Sequence, residues 1–155
     1  MAKGKTVEKS EARRYLENIE WMRNEIERLT QINAEYNERK IGIRGIDYSK
    51  DRVQTSPDGD SIKMVDWYND EIDSNNRLIF EYDRECKKAK QEIDSLSDSR
   101  YSDLLYYHYL RTYDLRHVAD MMNKSYPWTR SLKGEALIAF QTEVIDRKKA
   151  NGEEI

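Results

Sequence analysis

The sequence predicts an all-α protein, in which a long antiparallel helical hairpin of the coiled-coil type precedes a small helix-turn-helix domain. Two long apolar series repeat at alternating spacings of three and four residues, and a shorter capped pattern follows them. Two prolines and six glycines are all that interrupt 155 residues. A hydrophobic share of 37% beside a charged share of 37% favours thin helical layers over one thick core.

The first predicted helix follows an apolar seam that alternates threes and fours without a slip, as in a coiled coil. The seam positions are Ala12, Tyr15, Ile19, Met22, Ile26, Leu29, Asn33 and Tyr36.

A second helix carries the same kind of seam. Its positions are Val65, Tyr68, Ile72, Asn75, Ile79, Tyr82, Cys86, Ala89, Ile93 and Leu96. The residues between the two helices include Ser56-Pro57-Asp58-Gly59, which is typical of a turn, and we expect a connecting loop over about 37–61.

The two seams can face each other in an antiparallel hairpin that forms a domain over residues 1–98. Facing positions then have numbers that add up to 108, from Ala12 with Leu96 to Tyr36 with Ile72. This register places Asn33 opposite Asn75, where two amides can hydrogen-bond and oppose slippage by a heptad. The same pairing is possible within one chain or between two chains.

Large apolar residues also lie off the seam, namely Leu16, Trp21, Trp67, Leu78 and Phe80. They exceed what an isolated pair of helices needs, so we expect another surface to cover them. Packing of the C-terminal domain or of the linker is one interpretation. Self-association through Trp21 and Trp67 is the other, and a homo-oligomer is expected on that basis.

A third helix is predicted after Ser97, Asp98 and Ser99, which break the second helix and supply a cap. Tyr101, Leu104, Leu105 and His108 share one face of this helix. It opens a domain over residues 99–150, which is followed by a tail over 151–155.

The residues between Asp114 and Leu137 predict two short helices joined by a tight turn. Asp114 and Ser125 are suited to cap them, and Asn123 tolerates the left-handed backbone that a turn requires. The inward positions are Leu115, Val118, Ala119 and Met122 in the first helix, and Thr129, Leu132, Ala136 and Leu137 in the second. The second helix is the expected reading helix of a DNA-binding motif.

The outward positions of the reading helix are the predicted DNA contacts, and they are Tyr126, Pro127, Arg130, Ser131 and Lys133. Arg130 is the predicted base-reading residue because a guanidinium can donate two hydrogen bonds to a guanine edge. Tyr126 and Pro127 suit a thymine methyl group. Predicted phosphate contacts are Lys133, Arg116, Lys124 and Arg111.

At these residues the chain resembles the C-terminal domain of bacterial sigma factors. The run from His108 to Ala119 looks like that family's "RYL-x-G-x-S-x-x-x-I-A", and Ser125 to Leu137 looks like its recognition helix. Thr112 stands where the family has Gly. A long helical part followed by such a domain is similar to small phage-encoded regulators of the ArpU and RinA kind. This resemblance implies binding to double-stranded DNA and a role in late-gene transcription, with RNA polymerase as a candidate partner.

Other classes of function find no support in the sequence. The single cysteine, Cys86, excludes an internal disulfide, and neither a zinc pattern nor a catalytic motif occurs. We therefore expect neither an enzyme nor a cofactor or metal site. The longest apolar run, from Ala136 to Phe140, is far shorter than a membrane span, so a protein of the bacterial cytoplasm without membrane contact is expected.

The C-terminal part of the chain has a net positive charge and the N-terminal part a net negative charge, which suits DNA binding by the C-terminal part. Residues 99–150 hold nine Lys or Arg against six Asp or Glu, whereas residues 1–98 hold eighteen against twenty-two. The leading hypothesis is a phage or prophage transcription regulator. The alternatives are a helical adaptor or anti-activator that binds another protein, and a small terminase subunit.

Overall fold

The computed structural model describes residues 9–45 and 59–153. Within those ranges all regular structure is helical, which confirms the all-α prediction. The α-helices are α1 (Glu11–Gly45), α2 (Gly59–Asp94), α3 (Ser99–Leu105), α4 (Leu115–Met121), α5 (Tyr126–Phe140) and α6 (Arg147–Ala150). A π-helical segment, Tyr106–Leu110, extends α3, and a second one, Gln141–Asp146, joins α5 to α6.

The connection between the first two helices is shorter than predicted. Helix α1 continues to Gly45 and α2 begins at Gly59, so the loop bounds of about 37–61 were wrong. Good helix formers at 38–40 extend α1 beyond its seam, and Gly42 costs only about 1 kcal/mol inside a helix. The predicted turn at Ser56-Pro57-Asp58 lies outside the described residues.

The chain divides into two compact units that do not coincide with the predicted domains. The first unit comprises the described residues up to Arg23 together with those from Arg84 onward, and the second unit is Asn24–Asp83. A boundary at 98/99 does not separate them because the C-terminal helices bond to the ends of α1 and α2. Gln141 Oε1 accepts a hydrogen bond from the Ala12 amide at 2.9 Å, and Glu143 Oε1 accepts one from the Ser97 amide at 3.0 Å.

The core of the first unit is built from α1, α2, α3, α4, α5 and the two π-helical segments. The Tyr15 ring stacks on Phe140 with centroids 5.8 Å apart, and its hydroxyl donates to Glu92 Oε1 at 3.0 Å. Lys148 pairs with the other carboxylate oxygen of Glu92 at 2.8 Å. The largest fully buried side chains are Leu16, Ile19, Ile93, Leu104, Leu105, Tyr109, Val118, Thr129, Phe140, Val144 and Ile145. Cys86 is buried as well, as its place on the seam predicted.

In the second unit α1 and α2 meet through amides and aromatic rings. Asn75 Nδ2 donates to Asn33 Oδ1 at 3.0 Å, which is the contact that the register predicted. Asn33 Nδ2 in turn donates to Asn76 Oδ1 at 3.0 Å. The Tyr36 ring lies against Trp67 and Tyr68, with centroid distances of 5.7 and 5.2 Å.

The off-seam residues differ in their surroundings. Leu16 is fully buried in the first unit, so packing within the chain covers it. Trp21 and Trp67 each remain 51% exposed, and Phe80 is 64% exposed. Among the described residues of the second unit, Leu29, Asn33 and Tyr68 are the buried ones, so this unit has a thin interior.

Candidate nucleic-acid interface

Helices α4 and α5 begin at the two predicted caps. The Asp114 carboxylate accepts a hydrogen bond from the His117 amide at 2.8 Å, and Ser125 Oγ accepts one from the Trp128 amide at 3.2 Å. Pro127 lies in the first turn of α5, where its missing amide hydrogen breaks no helical bond. The caps therefore fix where each helix starts and leave a short turn between them.

Asn123 makes the turn with a left-handed backbone, at φ 55°. Its amide donates to Asp120 O at 3.2 Å, and the Lys124 amide donates to Ala119 O at 3.0 Å. Asparagine tolerates this conformation better than other non-glycine residues, so the prediction made for Asn123 is confirmed.

A second left-handed residue, Thr112, lies between the π-helical segment and α4, at φ 56°. A β-branched residue rarely adopts this conformation, and the cost is about 1–3 kcal/mol. Hydrogen bonds on both sides hold it. Before it, the Arg111 amide donates to Tyr106 O at 3.0 Å; after it, the Tyr113 amide donates to Tyr107 O at 3.1 Å, and Tyr113 O accepts from His108 Nδ1 at 2.8 Å. The sequence analysis did not predict this strain. The signal for it was that Thr112 occupies a position where the sigma-like pattern has Gly.

The inward faces of α4 and α5 are packed as the periodicity predicts. Val118 and Ala119 of α4 are buried, and so are Thr129, Leu132 and Ala136 of α5. Leu115, Met122 and Leu137 are half-buried. Helix α5 packs against both α3 and α4, so one face of it is committed to the core and the opposite face is presented outward.

The outer face of α5, defined here as Tyr126, Pro127, Arg130 and Ser131, carries four of the five predicted reading positions. Pro127, Arg130 and Ser131 are exposed and line a shallow depression, while Tyr126 is half-buried. Among the described residues nothing hydrogen-bonds or ion-pairs with the Arg130 guanidinium. Its five donors are therefore available to an external acceptor.

Lys133 does not belong to this outer face, and its predicted placement there was wrong. It follows Thr129 by four residues and precedes Ala136 by three, which puts it at the edge of the buried stripe. Its Nζ lies 5.8 Å from the centre of the Tyr109 ring, and burial lowers the pKa of its ammonium group.

The three other predicted phosphate contacts each lie over an aromatic ring. The Arg116 guanidinium is 4.4 Å from the Tyr126 ring centre, and the Lys124 ammonium is 5.1 Å from that of Trp128. Arg111 is 5.5 Å from the Tyr113 ring centre and donates to the Tyr113 hydroxyl at 2.9 Å. Sequence reasoning did not predict these rings as partners, because two of the three pairs join different helices or connections.

Several other basic residues of the first unit are paired with carboxylates instead. Arg100 bonds Asp98 at 2.7 Å, Lys90 bonds Asp94 at 2.7 Å, and Lys148 bonds Glu92 at 2.8 Å. Within the described part of the chain no carboxylate pairs with Arg111, Arg116, Lys124 or Arg130. The positive charge of the α4–α5 region is thus not neutralised locally.

Net charge differs between the two compact units more than between the predicted domains. The sequence of the second unit holds eight Lys or Arg against fourteen Asp or Glu. The remainder of the chain holds nineteen against sixteen. An anionic polymer would therefore be attracted to the first unit and repelled by the second.

Two other properties, metal binding and membrane crossing, were sought among the described residues. The described residues contain no cluster of His, Cys, Asp or Glu that could hold a metal ion. Within 9–45 and 59–153, no helix combines the length and the apolar character that crossing a bilayer needs. Comparison of the chain with family models, curated proteins and solved structures found no match.

Proposed function

We propose that the chain is a sequence-specific transcription regulator of phage or prophage origin that binds double-stranded DNA. Helices α4 and α5 act as a helix-turn-helix, and α5 enters the major groove as the reading helix. The role in late-gene transcription and the link to RNA polymerase rest on the resemblance to sigma factors and to the ArpU and RinA regulators.

The observation that carries the proposal is the setting of Arg130. This exposed residue lies on a helix whose opposite face is buried, one turn after a capped start, and it has no partner among the described residues. A free guanidinium in that position can donate two hydrogen bonds to O6 and N7 of a guanine, which discriminates against other bases by about 1–3 kcal/mol.

The neighbours of Arg130 suit a groove contact. Ser131 can donate or accept a hydrogen bond, and Pro127 offers an apolar surface to a thymine methyl group. Arg116, Lys124 and Arg111 supply charge for phosphates on either side of the groove. These roles involve binding alone and require no chemical step.

In this proposal the long helices α1 and α2 form an antiparallel hairpin. The second compact unit, which contains part of both helices, binds a second copy of the chain or the polymerase. Its exposed Trp67 and the exposed Trp21 of the first unit are the residues assigned to contact a second copy or the polymerase. Aromatic residues with large exposed surfaces are enriched at the centres of protein interfaces.

The test is selection of fragments from a phage and host genome by the purified protein, followed by sequencing. We expect enrichment of sites upstream of late genes. Enrichment at a packaging site would instead assign the chain to small terminase subunits. Absence of any enrichment at low salt, with and without the host polymerase, would contradict sequence-specific binding.

An adaptor that binds another protein is the second candidate, and one observation favours it. The second unit combines an excess of acidic residues with the exposed side chains of Met64, Trp67 and Leu78, spaced three and eleven residues apart along α2. That combination fits a basic protein surface better than DNA. The adaptor is supported if the genomic selection shows no enrichment.

A further inference from the structure

We propose that Tyr126 and Trp128 are positioning residues, whose rings hold the charged ends of Arg116 and Lys124 for contact with DNA phosphates. The proposal rests on the proposed function and adds to it how the phosphate contacts are prepared. It assigns to the first turn of α5 a role that base reading alone does not require.

The geometry joins each cation to a ring from the start of the reading helix. Arg116 belongs to α4, yet its guanidinium lies 4.4 Å from the centre of the Tyr126 ring at the first position of α5. Lys124 belongs to the turn, and its ammonium group lies 5.1 Å from the Trp128 ring. Both distances are within the range of about 6 Å in which a cation is attracted to an aromatic face.

A ring positions a cation without neutralising it. A carboxylate partner would cancel the charge, so a DNA phosphate would have to displace it before binding. The quadrupole of an aromatic ring attracts the cation by about 0.5–1 kcal/mol at an exposed site and leaves its net charge intact. Side-chain freedom is then reduced before DNA arrives, which lowers the entropic cost of binding.

The backbone at the start of α5 offers few free amides to a phosphate. Free amides at a helix N-terminus are a common phosphate site. Here Pro127 has no amide hydrogen, the Trp128 amide bonds Ser125 Oγ at 3.2 Å, and the Thr129 amide bonds Ser125 O at 3.0 Å. Only the amides of Ser125 and Tyr126 are left without a hydrogen bond among the described residues, so Arg116 and Lys124 supply the formal charge for phosphate binding at this end.

The experiment measures how DNA affinity depends on salt for Tyr126→Leu and Trp128→Leu, each compared with its Phe variant. A plot of log K against log salt has a negative slope, and this slope becomes shallower by about 0.9 for each phosphate that the protein no longer neutralises. We expect each Leu variant to reduce the slope by up to that amount, and each Phe variant to keep the wild-type slope because it keeps the ring. Circular dichroism checks that each variant is folded.

Tyr101→Leu is the matched control. Tyr101 also lies under a cation, with Arg100 at 5.8 Å, but that guanidinium is already bonded to Asp98. Removing this ring should leave the slope unchanged. If a Leu variant at 126 or 128 fails to fold, Arg116→Gln and Lys124→Gln test the same contacts, and either one keeping the full slope overturns the proposal.

Wild-type slopes in folded Leu variants would also overturn it. This result is distinct from failure of the proposed function, which is a lack of preference among DNA sequences by the wild-type protein. The slope is measured on any duplex, specific or not, so the two failures are separately visible.

Discussion

Five basic residues of the first unit differ in what their charged ends contact. Arg100 and Lys148 lie on carboxylates, Arg116 and Lys124 lie on rings, and Arg130 has neither. The first group stabilises the fold, the second is suited to phosphates, and the last is suited to a base edge. Composition alone could not distinguish these groups, because the distinction depends on which side chains meet in space.

Thr112 gives a prediction about stability. Its left-handed backbone is strained for a β-branched residue, whereas glycine adopts the same conformation freely. Thr112→Gly should raise the free energy of unfolding by about 1 kcal/mol, measured by urea denaturation.

Asn123→Gly is the control for that substitution. Asn123 has nearly the same φ, 55°, but asparagine tolerates it, so the gain should be smaller. A decrease of stability in Thr112→Gly would contradict the strain assigned to Thr112.

His108 gives a prediction about pH. Burial lowers the pKa of its imidazole from 6.5, while the carbonyl of Tyr113 accepts from its Nδ1 and partly opposes that shift. Between the two pKa values, His108 is therefore protonated in the unfolded chain but neutral in the folded protein. Stability should fall as the pH drops below about 6.5, and it should level off below the lowered pKa.

The measurement is the free energy of unfolding at pH 7.5 and 5.5 for the wild type and for His108→Gln. His108→Gln should lose part of the pH dependence. Equal pH dependence in the wild type and His108→Gln would show that His108 does not cause the loss of stability at low pH.

At the scale of elements, sequence patterns predicted local features well. The caps at Asp114 and Ser125, the turn at Asn123 and the contact of Asn33 with Asn75 all follow from side-chain chemistry within one turn or across one seam. The end of α1 at Gly45 and the π-helical segments were not predictable in this way. The apolar seam of α1 ends before the helix does, because good helix formers at 38–40 continue it, and no local preference marks a π-helical segment.

The asparagines of the second unit give a prediction about α1 and α2. Asn33 donates to Asn76 and accepts from Asn75, so both polar atoms of this buried side chain are hydrogen-bonded. Replacing Asn33 and Asn75 together by Leu should raise the melting temperature, with a gain in unfolding free energy of about 1 kcal/mol, because apolar contact replaces buried amides. It should also broaden the distribution of oligomeric states, measured by light scattering after gel filtration.

Asn33→Leu alone is the control, because it leaves Asn75 without its acceptor and should gain less. A double variant that unfolds would contradict the role of these amides in setting the register.

For the molecule as a whole, net charge distinguishes the two units. The first unit carries the positive excess and the candidate DNA interface, and the second carries fourteen acidic residues and exposed aromatic side chains. The sequence predicted the sign of this division but placed its boundary at 98/99. It could not locate the boundary because hydrogen bonds such as that from Ala12 to Gln141 join residues 129 positions apart.

The most direct test of the central claim is the selectivity of Arg130→Ala. The measurement is the ratio of affinities for an enriched genomic site and for a scrambled duplex of equal length, by gel shift at one salt concentration. We expect the wild type to prefer the enriched site and Arg130→Ala to lose about 1–3 kcal/mol of that preference, with its helical content unchanged. An unchanged ratio in the folded variant would contradict the assignment of α5 as the reading helix.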